Sequence, residues 1–135
     1  MKKFKISQIQ FQAKSTPEEN AILLKKYFKK ALVYKPNLIC TPECSNVITS
    51  DINYLKKNTT FEKDCPIINM AQLYAKENNT NINIGSLLLK LKNKKKLVNR
   101  SFFINSKGKI VKKYDKIHMF DVNINQQETH RESDT

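Results

Sequence analysis

The strongest constraint on the fold is a short apolar run, Leu38-Ile39-Cys40-Thr41, fenced by Pro36 and Pro42. A run of this length between prolines suits a buried parallel strand. Upstream, Thr16-Pro17-Glu18-Glu19 opens a helix: Thr16 can cap it, Pro17 suits the first helical position, and Glu19 completes a capping box. Ala21, Leu24, Phe28 and Ala31 then share one face, Lys25, Lys26, Lys29 and Lys30 face mostly water, and the helix ends near Pro36. Before it, Phe4, Ile6, Ile9 and Phe11 mark a β-like segment with one irregularity in its alternation. The opening of the chain therefore reads as strand, helix, strand.

Asp51 to Asp64 is polar and reads as loop. Pro66 opens a second helix reaching about Asn78, with Ile67, Met70, Ala71, Leu73 and Tyr74 on its apolar side. Asn81 to Leu91 is the next strand. Val98 to Ile104 and Lys109 to Tyr114 flank Asn105-Ser106-Lys107-Gly108, a turn signal that makes them an antiparallel hairpin. The order βαβαβββ, without an internal repeat, predicts an α/β fold: a mixed sheet with helices on one face. At 135 residues and 39% hydrophobic content, the chain can bury a real core as one domain.

A formal net charge of +13 raises nucleic acid or an anionic membrane surface as a partner. Of the 25 basic residues, however, Arg100 and Arg131 are the two arginines, which leaves 23 lysines. Groove readers and phosphate clamps depend on the arginine fork. The lysines are spread from Lys2 to Lys116 among many asparagines, the composition an AT-rich genome encodes, so neither specific nucleic-acid binding nor a membrane partner is expected. The densest run, Lys90 to Lys96, reads as a solvated hairpin loop. Met1-Lys2-Lys3-Phe4-Lys5 runs into polar Ser7, Gln8, Gln10 and Gln12 instead of a signal-peptide core, and no apolar run approaches a membrane span, so the expected location is cytoplasmic. Cys40, Cys44 and Cys65, an odd number, suit a reducing compartment, and with His118 and His130 they give no zinc spacing.

In α/β sheets, functional groups gather outside the carboxyl ends of strands. Glu43 stands directly after the Leu38–Thr41 strand, and Lys116 follows the strand from Lys109 to Tyr114 in the same way. On spacing alone each reads equally as a surface residue, Glu43 in a turn with Pro42, Ser45 and Asn46, and Lys116 as one of many solvated lysines. Composition and spacing thus end at a soluble α/β domain.

Thr41-Pro42-Glu43 resembles the first motif of the nitrilase, or carbon-nitrogen hydrolase, superfamily, in which a glutamate after the second strand is the general base. Asn99-Arg100-Ser101-Phe102-Phe103-Ile104, leading through Gly108 to Tyr114-Asp115-Lys116-Ile117-His118, resembles the second motif, which carries the catalytic lysine. Glu132, in Arg131-Glu132-Ser133, lies sixteen residues after Lys116 and resembles the second glutamate of that region. Ile84-Gly85-Ser86 fits the strand before the hairpin. The similarity is collinear over nearly the whole chain and is closest to the amidase branch of ω-amidases and the amidase acting on deaminated glutathione. It implies that residues 1–135 are the N-terminal half of an α-β-β-α sandwich.

The resemblance also implies a mechanism. A cysteine thiolate attacks an amide carbonyl, ammonia leaves, and water hydrolyses the acyl-enzyme. Glu43 would take the thiol proton, return it to the leaving nitrogen and then activate water. Lys116 would hold the developing oxyanion. Glu132 would orient the substrate or support the base. The implied substrate is a small linear amide such as a dicarboxylic acid monoamide, with no cofactor and no metal, and the full-length form is expected to be a homo-oligomer.

The departure from the pattern is the nucleophile. In the family it lies in a motif resembling Cys-Tyr-Asp-x-Arg-Phe some distance after the second glutamate, and Thr135 precedes it. Cys44 adjoins Glu43, but neighbours on an extended segment point to opposite sides, which sets that pair poorly for proton transfer. Cys40 and Cys65 read as ordinary buried thiols, His118 as structural and His130 as exposed. The expectation is an N-terminal fragment, poorly soluble and without amidase activity alone, because the sheet face meant for a second sheet would be bare. Two alternatives from other classes are a non-catalytic interaction subunit that pairs with a complete homologue, and a basic RNA-binding module using the Lys90–Lys96 loop.

Overall fold

The computed structural model describes residues 3–92, 97–118, 121–123 and 129–131. Five strands, β1 (Ile6–Gln8), β2 (Leu38–Cys40), β3 (Asn81–Lys90), β4 (Leu97–Ile104) and β5 (Ile110–Asp115), lie side by side in chain order. The first three run parallel and the last three antiparallel, so the sheet is mixed as its segment order requires. Helix α1 (Pro17–Leu32) joins β1 to β2, while α2 (Ile52–Asn58) and α3 (Pro66–Glu77) join β2 to β3. A separate two-stranded ribbon pairs β6 (Asp121–Asn123) with β7 (Thr129–Arg131). Among the described residues no helix is long and apolar enough to cross a membrane.

The core lies between the sheet and the pair α1 and α3. Leu24, Phe28 and Ala31 of α1 and Ile67, Ile68, Ala71 and Ala75 of α3 meet Ile39, Ile82, Ile84, Phe102 and Ile104 of the sheet. These are the alternate residues of each strand and one stripe of each helix, so period two and period 3.6 select the same interface. The opposite face carries Leu38, Cys40, Asn81, Asn83 and Phe103, which are all half-buried. Thr16 caps α1 as the sequence predicts, accepting from Glu19 N at 3.4 Å.

Four local expectations change. The polar segment Asp51–Asp64 is not all loop: Asp51 caps α2 by accepting from Tyr54 N at 2.9 Å, Leu55 is buried against Val47 and Leu88, and Glu62–Asp64 forms a 3-10 turn. A single buried leucine per two turns is too faint a periodicity to read in a polar stretch. In α3 the apolar stripe includes Ile68 and leaves Leu73 53% exposed. The opening strand is shorter than its apolar residues suggest: β1 is an edge strand on which Ile6 stays exposed, and Phe4, before it, is exposed as well. Of the Lys90–Lys96 loop, residues 93–96 lie outside the described residues, and the Lys90 ammonium is not simply solvated but donates to the Lys57 carbonyl at 3.0 Å.

Candidate active site

β2 ends at Cys40, and the turn that follows is stitched onto β3. Thr41 N donates to Asn83 O at 3.0 Å, Gly85 N to Thr41 Oγ1 at 3.2 Å, Ser86 N to Pro42 O at 3.3 Å and Cys44 N to Ser86 Oγ at 2.9 Å. The Ser45 hydroxyl bonds to Pro42 O at 2.6 Å and to Thr41 Oγ1 at 2.9 Å. Position 85 must be glycine for this fit: a Cβ there would stand 2.3 Å from Thr41 O. The close approach falls at the register shift of β3 between Ile84 and Leu87. Further along, the Asn46 amide pairs with both polar groups of the Leu88 backbone, at 2.8 and 2.9 Å, and Asn20, fully buried on α1, donates to Asn46 O at 2.9 Å. Glu43 therefore rides on a turn fixed to the sheet from one side and to α1 from the other.

Lys116 is the first residue past β5. Its backbone N–H donates to Asn99 O at 2.9 Å, and its Nζ donates to Glu43 Oε1 at 3.0 Å. Asn99 Nδ2 donates to the same carboxylate oxygen at 2.9 Å. Asn99 is 4% exposed, so its amide is a fixed donor rather than a mobile surface group. Glu43 and Lys116, 73 positions apart in sequence, thus meet at the carboxyl edge of the sheet, with Asn99 holding one by its side chain and the other by its backbone. A hollow of about 280 Å³, lined by Gln8, Ile9, Gln10, Cys40, Thr41 and Pro42, opens where β1 and β2 end.

Cys44 requires a correction. The segment is a turn and not extended: Cys44 has φ 49°, in the left-handed region, and Asn99 Nδ2 lies 3.8 Å from its sulfur while also bonding Glu43. Adjacent side chains here reach one amide, so the alternation argument against the pair does not apply. Burial raises the Cys40 and Cys65 thiols above their ordinary range. Cys65, 2% exposed, is a core residue, while Cys40 is half-buried on the open sheet face. His118 is exposed rather than structural. Glu132 lies outside the described residues, as does the side chain of His130. Among the described residues no three His, Cys, Asp or Glu side chains converge as a metal ion requires.

Asn99 has no role in the sequence reading, although it stands at the head of the second motif. Its signal was a polar residue within an apolar strand that continues into Phe102 and Ile104. A charge cluster on the far side of β4 went equally unforeseen. Arg100 grips both oxygens of Asp115, with Nη2 at 2.8 Å, and reaches Glu62 Oε2 at 2.8 Å, while Lys113 bonds the other Glu62 oxygen. Partial burial works to raise the Glu62 carboxyl, but Lys113 and Arg100 outweigh it and hold Glu62 below the usual carboxylate range. The Asp115 carboxylate does most to raise the Arg100 guanidinium beyond its already high ordinary value.

A carboxylate and an ammonium in contact, with a fixed amide donor behind them, can move a proton and stabilise a developing oxyanion. The sequence profile of the carbon-nitrogen hydrolase family matches residues 5–135. This chain belongs to the carbon-nitrogen hydrolases. It is 32% identical over 134 residues to nitrilase homolog 2 of Dictyostelium discoideum, covering 99% of this chain and 40% of that protein. It is also 32% identical over 120 residues to the deaminated glutathione amidase of the same organism, covering 85% of this chain and 41% of that one. The chain therefore spans about two fifths of the curated relatives it matches. Its fold matches the NitFhit protein of C. elegans with a TM-score of 0.78 at 23% identity, over 96% of this chain and 31% of that one. An amidase from Nesterenkonia sp. matches with a TM-score of 0.70 at 15% identity, over 87% of this chain and 44% of that one.

Proposed function

We propose that this carbon-nitrogen hydrolase chain carries the base and the lysine of an amidase acting on small linear amides, with a dicarboxylic acid monoamide as the preferred class. The observation that carries the reading is the 3.0 Å contact between Lys116 Nζ and Glu43 Oε1 beneath the Asn99 amide. In the reaction, Glu43 removes the proton of a cysteine thiol, and the thiolate adds to the amide carbonyl. Lys116 holds the resulting oxyanion. Glu43 then protonates the leaving nitrogen, so that ammonia departs and a thioester remains, and afterwards activates the water that releases the acid. Glu132 supports the base or orients the substrate. We infer that the thiol is supplied outside residues 1–135, a reading supported by the two fifths of its relatives that this chain spans. A solved form of the Nesterenkonia amidase, described as carrying acrylamide added at its active-site cysteine, supports a thiol nucleophile. The substrate class draws support from the relative named a deaminated glutathione amidase.

The test is to read the coding frame past Thr135 and express the product. An in-frame Cys-Tyr-Asp-x-Arg-Phe segment is expected, with ammonia released faster from dicarboxylic acid monoamides than from plain aliphatic amides or nitriles. Preference for nitriles overturns the substrate class, and a frame without that cysteine overturns the mechanism.

A further inference from the structure

Asn99 and Arg100 are neighbours on β4, and successive side chains of a strand leave by opposite faces. The Asn99 side is occupied by Glu43. On the other side, Arg100 joins three elements at once: the 3-10 turn through Glu62, its own strand, and the end of β5 through Asp115. Its side chain is 18% exposed and its fork spans both oxygens of Asp115, a planar, bidentate contact that fixes orientation as well as distance. Asp115 is the last residue of β5 and the covalent neighbour of Lys116.

We propose that Arg100 is a positioning residue for Lys116, acting through Asp115 and anchored on Glu62. The proposal rests on the reading of Glu43 and Lys116 as a working pair. Lys116 has four rotatable side-chain bonds, and ordering such a side chain costs rotamer freedom, so its root must be fixed if its ammonium is to stay on one carboxylate oxygen. The chain leaves the sheet at this point, and Ile117 beyond it is 70% exposed, so local packing offers little support. Two bonds from consecutive β4 residues supply that support instead. Asn99 O holds the Lys116 N–H, and the Arg100 fork holds the Asp115 carboxylate. Glu62 keeps the fork from swinging, and it is itself held by Lys113. Four charges of alternating sign thus form a neutral set, within which the end of β5 is clamped.

The test uses the protein expressed through the frame beyond Thr135 and follows the rate at which dilute acetylating reagent modifies Lys116, read by mass spectrometry and normalised to Lys112 and Lys76. Glu43→Gln is made in the wild-type, Arg100→Gln and Asp115→Asn backgrounds. In the wild type, Glu43→Gln should raise the Lys116 rate by about two- to fivefold, the scale of releasing a partly exposed ion pair. In Arg100→Gln and in the isosteric Asp115→Asn, the same change should have little further effect, because the pair is already uncoupled. Normalisation to the exposed Lys112 and Lys76 corrects for reagent dose, and a circular-dichroism melt measured on each variant separates release of the pair from a general loosening of the fold. An unchanged Glu43→Gln effect in both backgrounds overturns the role of Arg100. Absence of the effect in the wild type instead overturns the pair itself, so the two failures are distinguishable.

Discussion

Replacing Gly85 by alanine should dislodge Glu43 without touching it. The added Cβ would stand 2.3 Å from Thr41 O and 2.6 Å from both the carbonyl carbon and the oxygen of Pro42. Ordinary contact begins at 3.4 Å, so the turn or the strand must retreat by the 1.1 Å between 2.3 and 3.4 Å. The obstructing atoms are all backbone, so no side-chain tip can swing aside. A movement of that size stretches the bonds from Thr41, Pro42 and Cys44 to β3 and carries the Glu43 carboxylate out of reach of Lys116. Overpacking of this kind costs about 1–3 kcal/mol. For a chain of this size, a loss of about 2 kcal/mol should lower the melting temperature by roughly 8 °C. Circular-dichroism melting measures the loss of stability, and the normalised acetylation rate of Lys116 measures the site. A Gly85→Ala chain that melts within about 1 °C of wild type, or one that keeps the slow Lys116, would refute this account of how the turn is held.

Other outcomes can be checked alongside. Asn99→Leu removes the donor to Glu43; in a protein carrying its nucleophile, turnover should fall by about 10²-fold, the scale of misplacing a reacting group by about 1 Å, and steady-state ammonia release measures it. Because Glu62 is held below the usual carboxylate range, it contributes stability that is present above the ordinary carboxylate pKa and lost as pH falls through its lower folded value. Acid melting of Glu62→Gln should therefore be shallower than that of the wild type across that window, and identical slopes would contradict the network. Iodoacetamide should leave Cys65 unmodified in the folded chain and react with it only after denaturation, since the thiol is 2% exposed and raised by burial. Phe28→Ala, a fully buried ring between α1 and α3, should cost about 3–5 kcal/mol in urea unfolding.

The fold was legible where burial imposes a period. α1, α3, β2, β3 and β4 each set one stripe or face against one core, β5 was marked by the turn before it, and their limits differ from expectation by a residue or a few. α2 escaped because it buries only Leu55, and its cap Asp51 is one polar residue among many. Glu43 and Lys116 were legible as residues just past strand ends, and as motif members. Their partnership was not, because contact across 73 positions depends on strand order and on the turn at Thr41–Ser45. The position of Cys44 was misjudged for a related reason: a left-handed residue in a turn cancels the alternation that a strand would impose. Asn99 and Arg100 each needed a partner from a distant element before their identities carried meaning.

The central claim is that Lys116 and Glu43 act together on an amide carbonyl. Its most direct test is the rate of ammonia release from a dicarboxylic acid monoamide by the protein expressed through the frame beyond Thr135, compared with Lys116→Ala. The account predicts a loss on the order of 10²-fold or more in turnover, the effect of removing one oxyanion donor. Turnover unimpaired in Lys116→Ala would contradict it.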